Sequence, residues 1–180
     1  GLGGGSADAV FFLKTLNTQY NLCISSKKLM DIALGLGSDC PFFISNQPAI
    51  IRGRGGLLQT VEHFLSGYHL VVVDAGVSIS TAEAYTHLKN VNNSMDVSLQ
   101  EIIGMPPDSW KNYLYNDFES FVFGHYPKLA SLKKQLYDKG AFFASLTGSG
   151  SVVYGLFAEK QKLPLSESFE NAVAWTGRLK

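Results

Sequence analysis

At 180 residues, 46% of them hydrophobic, the chain can bury one full core, or one core and part of a second, which excludes a disordered protein. Fifteen Lys and Arg balance fifteen Asp and Glu without a long basic run, which argues against nucleic acid as a partner. No apolar run reaches the roughly 20 residues of a membrane-spanning helix, so no membrane partner is expected.

Four glycines and a serine open the chain, in Gly1 to Asp8 (GLGGGSAD), and lead into a helical pattern from Ala7 to Tyr20 with Val10, Leu13, Leu16 and Tyr20 apolar. Glycines let backbone approach a ligand closely, and a helix start aims unpaired N–H groups and a positive dipole end into the same space. The pairing predicts an anion site, most often for phosphate, with Ser6 as a good helix cap. It lacks the Gly-Lys-Ser/Thr ending of a P-loop and the preceding strand of a dinucleotide fingerprint. A loop of this kind needs a lead-in, so the chain reads as the C-terminal part of a longer protein.

Ser25 or Ser26 caps a second predicted helix, 27–36, ended by Gly37. A cap-like turn at 37–41 precedes an apolar segment. Strands are expected at 48–52 and 57–61, around the turn Arg52-Gly53-Arg54-Gly55-Gly56, whose two arginines read as solvated. The valine run of 69–74 predicts a buried strand. Ser80-Thr81-Ala82-Glu83 fits a capping box, and Asn116-Asp117-Phe118-Glu119 follows the same logic, with Asn116 as cap and Glu119 reaching back. Leu129, Leu132 and Leu136 stripe one face of a helix over 127–139 that stops at Gly140. Strands at 142–147 and 151–157 flank Gly148-Ser149-Gly150. The tail beyond Lys160 reads as a short helix and a final strand at 172–176. From residue 68 onward this order suits an α+β sandwich, a sheet with helices on one face.

Cys23 and Cys40 stand alone, as in a reduced, cytoplasmic protein. His63, His69, His87 and His125 show no metal-ligand spacing and read as surface or partly buried rings.

Several segments together resemble the GHMP small-molecule kinases. GLGGGSADA at 1–9 is similar to their second motif, and Leu146-Thr147-Gly148-Ser149-Gly150-Ser151 to their third. Further matches follow in order: GSDCPFF at 37–43, RGRG at 52–55, VSISTAEAY at 77–85 and NDFE at 116–119. The resemblance runs collinearly from Gly1 to about Phe157. It implies an α+β fold in which residues 1–66 are a remnant of the N-terminal ATP-binding domain and 67–180 a ferredoxin-like, α/β-sandwich C-terminal domain.

The resemblance also implies an ATP-dependent transfer of a phosphoryl group to an alcohol, with Mg²⁺. Gly1, Gly3, Gly4, Gly5, Ser6, Ala7, Gly148, Ser149 and Gly150 would bind the nucleotide phosphates, and Ser6 would lie near the metal. Asp39, which spacing alone reads as a helix-start carboxylate, would accept the proton of the attacking hydroxyl or orient it. Tyr85, one helical turn after Thr81, would stack on a cytosine ring while Thr81 faces the substrate's phosphates; without the resemblance Tyr85 reads as a core aromatic. The triple glycine before Ser-Ala-Asp is most like the member that phosphorylates a cytidyl diphosphate-linked polyol in non-mevalonate isoprenoid (terpenoid) biosynthesis. The alternatives are a homoserine- or mevalonate-type enzyme, in which Tyr85 should be core, and a non-catalytic binding relative. The family pairs its aspartate with a lysine that would fall upstream of Gly1, so the 180 residues alone are expected to be inactive.

Overall fold

The computed structural model describes residues 1–62, 65–88, 97–158, 169 and 172–179. The helix expected after Lys160, and His63, lie outside the described residues. The chain divides into two units, Gly3–Phe64 and Leu65–Lys180, the second joined by Gly1–Leu2.

The first unit holds α1 (Gly4–Gln19), α2 (Ser26–Leu36), α3 (Cys40–Ser45), β1 (Ala49–Arg52) and β2 (Leu57–Thr60). Gly3, in the left-handed region at φ 67°, caps α1, and no side chain caps it. Ser6 is therefore not the cap: the reversal at Gly3 starts the helix three residues earlier, and Ser6 lies in its first turn. Of the expected apolar face of α1 only Val10 is buried; Leu13 packs partly, and Tyr20 is exposed. The Asn17 amide binds Ile24 both ways, donating to its carbonyl at 3.1 Å and accepting from its N–H at 2.9 Å, which fixes the link to α2. The Ser25 hydroxyl caps α2 by accepting from the Lys28 N–H. The apolar segment after Asp39 is helical, and Pro41 fits its first turn because no intrahelical N–H is needed there. Leu29, Ala33, Cys40 and Ile44 close the small core around Val10. β1 and β2 pair antiparallel, Ala49 opposite Thr60 and Arg52 opposite Leu57. Gly55 of their turn is buried at φ 89°, and a Cβ there would stand 1.8 Å from the Ser38 carbonyl oxygen. Only glycine fits.

The second unit contains β3 (His69–Asp74), α4 (Thr81–Thr86), α5 (Leu99–Ile103), a 3-10 turn (Pro107–Asn112), α6 (Glu119–His125), α7 (Pro127–Asp138), β4 (Phe143–Leu146), β5 (Val152–Phe157) and β6 (Val173–Arg178). The four strands are antiparallel in the order β4-β5-β3-β6. That is the strand order of a ferredoxin-like sheet, with the first strand between the third and fourth. One face is covered by Phe121 and Val122 of α6 and by Leu129, Leu132 and Leu136 of α7, which pack with Val71, Val73, Leu146, Val153 and Phe157. The other face is covered as well: Ile102 and Trp110 cluster with Phe143 and Leu156. The expected one-sided sheet is thus two-sided. Strands that read as continuous apolar runs need cover on both faces, and α5 with the 3-10 turn provides it. Among the described residues no helix is long and apolar enough to cross a membrane.

Candidate active site

Within the second unit the turn between β4 and β5 meets the start of the chain. The Thr147 hydroxyl donates to the Gly1 carbonyl at 2.7 Å. The turn is closed by the Gly150 N–H donating to the Thr147 carbonyl at 2.9 Å, with Gly148 at φ 51° and Gly150 at φ 97°. A Cβ on Gly1 would lie 2.7 Å from the Gly150 carbonyl oxygen, and one on Gly150 would lie 2.8 Å from Ile79 Cδ1. Two glycine segments far apart in sequence are in contact because neither carries a side chain there. Beside them opens a cleft of about 340 Å³, lined by Gly1, Asp74, residues 76–79, Gly150 and Ser151. Its floor is the reversal after β3, where the Asp74 carboxylate accepts from the Gly76 N–H at 2.9 Å and the Lys128 ammonium donates to the Ala75 carbonyl at 2.7 Å. Sequence reasoning did not single out Asp74; its position at the end of a buried strand, two residues before a glycine, was the available signal.

α4 starts as its Ser80 spacing predicts, the Ser80 hydroxyl accepting from the Glu83 N–H at 3.3 Å. Thr81, its first residue, is exposed, and its hydroxyl lies 3.1 Å from that of Ser149. Tyr85 is not a core aromatic: it is 61% exposed, with its ring edge-on to Phe118 at 5.0 Å, because Ala84 is the residue of α4 that faces the core.

Asn116 and Glu119 do not form the expected cap. α6 begins at Glu119 with Phe118 in the cap position. The Asn116 amide instead donates to two carbonyls of the glycine turn, Leu146 at 2.9 Å and Gly148 at 2.8 Å, while its oxygen accepts from the Phe118 N–H at 2.9 Å. The Glu119 carboxylate accepts from the Leu146 N–H at 3.0 Å, the Ser145 hydroxyl at 3.1 Å and the Lys133 ammonium at 2.6 Å. With the Tyr137 hydroxyl donating to the Ala144 carbonyl, these side chains satisfy the free edge of β4. Burial, and then the nearby Glu119 and Tyr137, push the Tyr154 phenol up to about 12.

Asp39 lies in the first unit, in the cap position of α3. Its carboxylate is exposed and makes no capping hydrogen bond. The glycines near it leave little room for side chains: a Cβ on Gly37 would lie 3.4 Å from the Cys40 sulfur, and one on Gly55 would meet the backbone of Ser38. Gly3, Gly4, Gly5, Ser6 and Ala7 form the start of α1, which has no acidic residue in its first turn. Arg52 and Arg54 are exposed. Among the described residues no group of three or more His, Cys, Asp or Glu is placed to hold a metal ion.

Residues 100–171 match the family described as GHMP kinases C terminal. The chain is 46% identical over 180 residues to the 4-diphosphocytidyl-2-C-methyl-D-erythritol kinase of Bacteroides fragilis, covering 100% of this chain and 65% of that protein. A solved 4-(cytidine 5'-diphospho)-2C-methyl-D-erythritol kinase superposes with a TM-score of 0.77 at 25% identity, over 97% of this chain and 64% of the other. The mevalonate kinase of Methanococcus jannaschii, at a TM-score of 0.71 and 14% identity over 100% of this chain and 64% of its own, shares the fold. The chain thus spans 65% of the length of the first of these kinases, less than two thirds, with likeness running through both of its units, and its residues 100–171 carry the C-terminal match to the GHMP kinases.

Proposed function

We propose that the full-length protein transfers the γ-phosphoryl group of ATP to the 2-hydroxyl of 4-diphosphocytidyl-2-C-methyl-D-erythritol, a step of non-mevalonate isoprenoid biosynthesis carried out in the cytoplasm. The observation that carries this reading is the 46% identity across all 180 residues to a kinase of that name. In this reading the first unit is the remnant of an ATP-binding domain and the second is the C-terminal domain.

The residues present suit a nucleotide. The first N–H groups of α1 have no intrahelical partners, and neither a side-chain cap nor an acidic residue in the first turn competes for them. Gly1, Gly148 and Gly150 leave backbone bare where side chains would fill the space, and Ser149 and Thr81 add hydroxyl donors. Ser6 would offer its single hydroxyl to an Mg²⁺ bound with the phosphates, an ion that takes few protein ligands and would supply charge neutralisation there. Asp39 offers an uncommitted carboxylate to the attacking hydroxyl. As the new O–P bond forms and the bond from the γ-phosphorus to the leaving ADP oxygen breaks, the hydroxyl proton passes to the Asp39 carboxylate. Positioning and charge stabilisation carry most of such a reaction. The open ring of Tyr85 suits stacking on cytosine, whereas a homoserine- or mevalonate-type enzyme has no use for an exposed aromatic there.

The test is a phosphotransfer assay on the full-length protein with Mg-ATP and the cytidyl substrate, homoserine and mevalonate offered in parallel. Turnover of the cytidyl substrate alone is expected. Turnover of another alcohol in its place would move the enzyme elsewhere in the family, and no turnover of any would favour a non-catalytic binding relative.

A further inference from the structure

We propose that Asn116 is a positioning residue for the turn from Thr147 to Ser151, setting the shape of that turn from a distance; the catalytic consequence rests on the reading of the turn as part of a phosphate site. A helix cap satisfies N–H groups of its own helix within a few residues. Asn116 instead spends both amide hydrogens on carbonyls 30 and 32 positions later, those of Leu146 and Gly148. Its oxygen takes the Phe118 N–H, so one planar group reads three backbone atoms at once. An asparagine side chain, with two donors on one arm and an acceptor on the other, matches that set; aspartate lacks the donors and alanine lacks both.

The turn needs such a hold. Two of its residues, Gly148 and Gly150, stand at positive φ, and glycine favours that region no more than many others. The Leu146 carbonyl points off the edge of β4, where no strand pairs with it among the described residues. Three residues beyond Asn116, Glu119 takes the Leu146 N–H from the same side and is itself neutralised by Lys133. The Asn116–Glu119 segment therefore grips both the donor and the acceptor of Leu146, the last residue before the turn. The Gly148 bond extends that grip to the point where the turn reverses. On the far side of the turn Thr147 reaches the Gly1 carbonyl and Ser149 reaches Thr81, so a displaced turn would carry both contacts with it.

The experiment uses the full-length protein with Asn116→Asp, which keeps the acceptor for Phe118 but turns a carboxylate on two carbonyls. Ser98→Ala, which removes the true capping box of α5, serves as a comparison away from the turn. Amide exchange is followed at Thr147 and Gly150, whose N–H groups close the turn, and at Val122, whose N–H bonds within the first turn of α6. Asn116→Asp is expected to speed exchange at Thr147 and Gly150 by about tenfold or more and to leave Val122 within about twofold of wild type. It should also lower kcat/KM for ATP by about tenfold, while Ser98→Ala leaves it within about twofold at a comparable loss of Tm. Faster exchange at Val122 with an unchanged turn would make Asn116 a helix cap and overturn the proposal. So would equal losses of kcat/KM in the two variants. If the wild-type protein transfers no phosphate to any of the three alcohols, the functional reading fails, and the exchange pattern alone still decides whether Asn116 positions the turn.

Discussion

The two units close their cores by different means. The second buries whole side chains on both faces of a four-stranded sheet, with Leu129, Leu136, Val122 and Val153 fully enclosed. In the first, sixteen residues of α1 bury only Val10, while Phe11 and Phe12 remain 45% and 65% exposed. Around its small core of Val10, Leu29, Ala33, Cys40 and Ile44, its segments are also fixed by single-residue devices that grip backbone: the Asn17 amide on Ile24, the Ser25 cap, and the close approach of Gly55 to Ser38. The contrast teaches where each unit is sensitive: the second to truncation of its buried side chains, the first to loss of the one residue on which each device depends. Asp39 directly follows Ser38, the residue that Gly55 approaches.

The sharpest way to break the comparison is to truncate matched apolar residues. Leu129→Ala should cost about 2–5 kcal/mol, because it empties a fully buried site, and Phe12→Ala should stay within about 0.5 kcal/mol. Denaturant unfolding of the two variants measures the difference, and a large loss from Phe12→Ala would show that the first unit depends on that ring. Next in size is an alkaline effect confined to the second unit. The folded Tyr154 phenol keeps its proton up to about 12, above the ordinary tyrosine value near 10, so the neutral form is favoured by folding. The associated stability is fully present below pH ~10 and is lost as pH rises toward ~12, by about 3 kcal/mol in all. Tyr154→Phe should flatten that part of the pH profile; an unchanged slope would mean that the phenol ionises as freely in the folded protein.

Gly55→Ala comes third. The added Cβ meets a backbone oxygen, and the residue must hold a left-handed conformation, so a loss of about 2 kcal/mol or more is expected. Gly53→Ala, also at positive φ but facing open space, should lose only about 1 kcal/mol. Equal losses would remove the Ser38 contact as a stabilising device. The smallest effect is Ser25→Ala, about 1 kcal/mol, read as early melting of α2 by amide exchange.

Local signals carried much of this fold. Ser25 and Gly37 bound α2, the leucine stripe of α7 points into the core, and the glycines between β4 and β5 mark their hairpin. Two of the readings that failed did so because a distant partner outbid a local one. Asn116 and Glu119 have the spacing of a capping box, yet both turn to the edge of β4, whose unpaired groups are invisible in a linear pattern. The true capping box, Ser98 with Glu101, went unnoticed because its helix is a single short turn. Ser6 was read as a cap because serine favours that position, but Gly3 reaches the left-handed conformation that starts the helix first. Tyr85 fits a helical stripe, but periodicity does not say which side of a six-residue helix faces inward. For the candidate site, the glycine chemistry was legible from the residues. The significance of Asp39 came only from the ordered set of family-like segments around it.

The most direct test of the account is the turnover of the full-length protein with the cytidyl substrate and Mg-ATP, compared with that of its Asp39→Asn variant. The account predicts turnover by the wild type and a fall in kcat of about 10²-fold or more in the variant, with nucleotide binding retained. A variant as active as the wild type would contradict the role of Asp39, and a wild type that binds ATP but leaves the cytidyl alcohol untouched would contradict the proposed function.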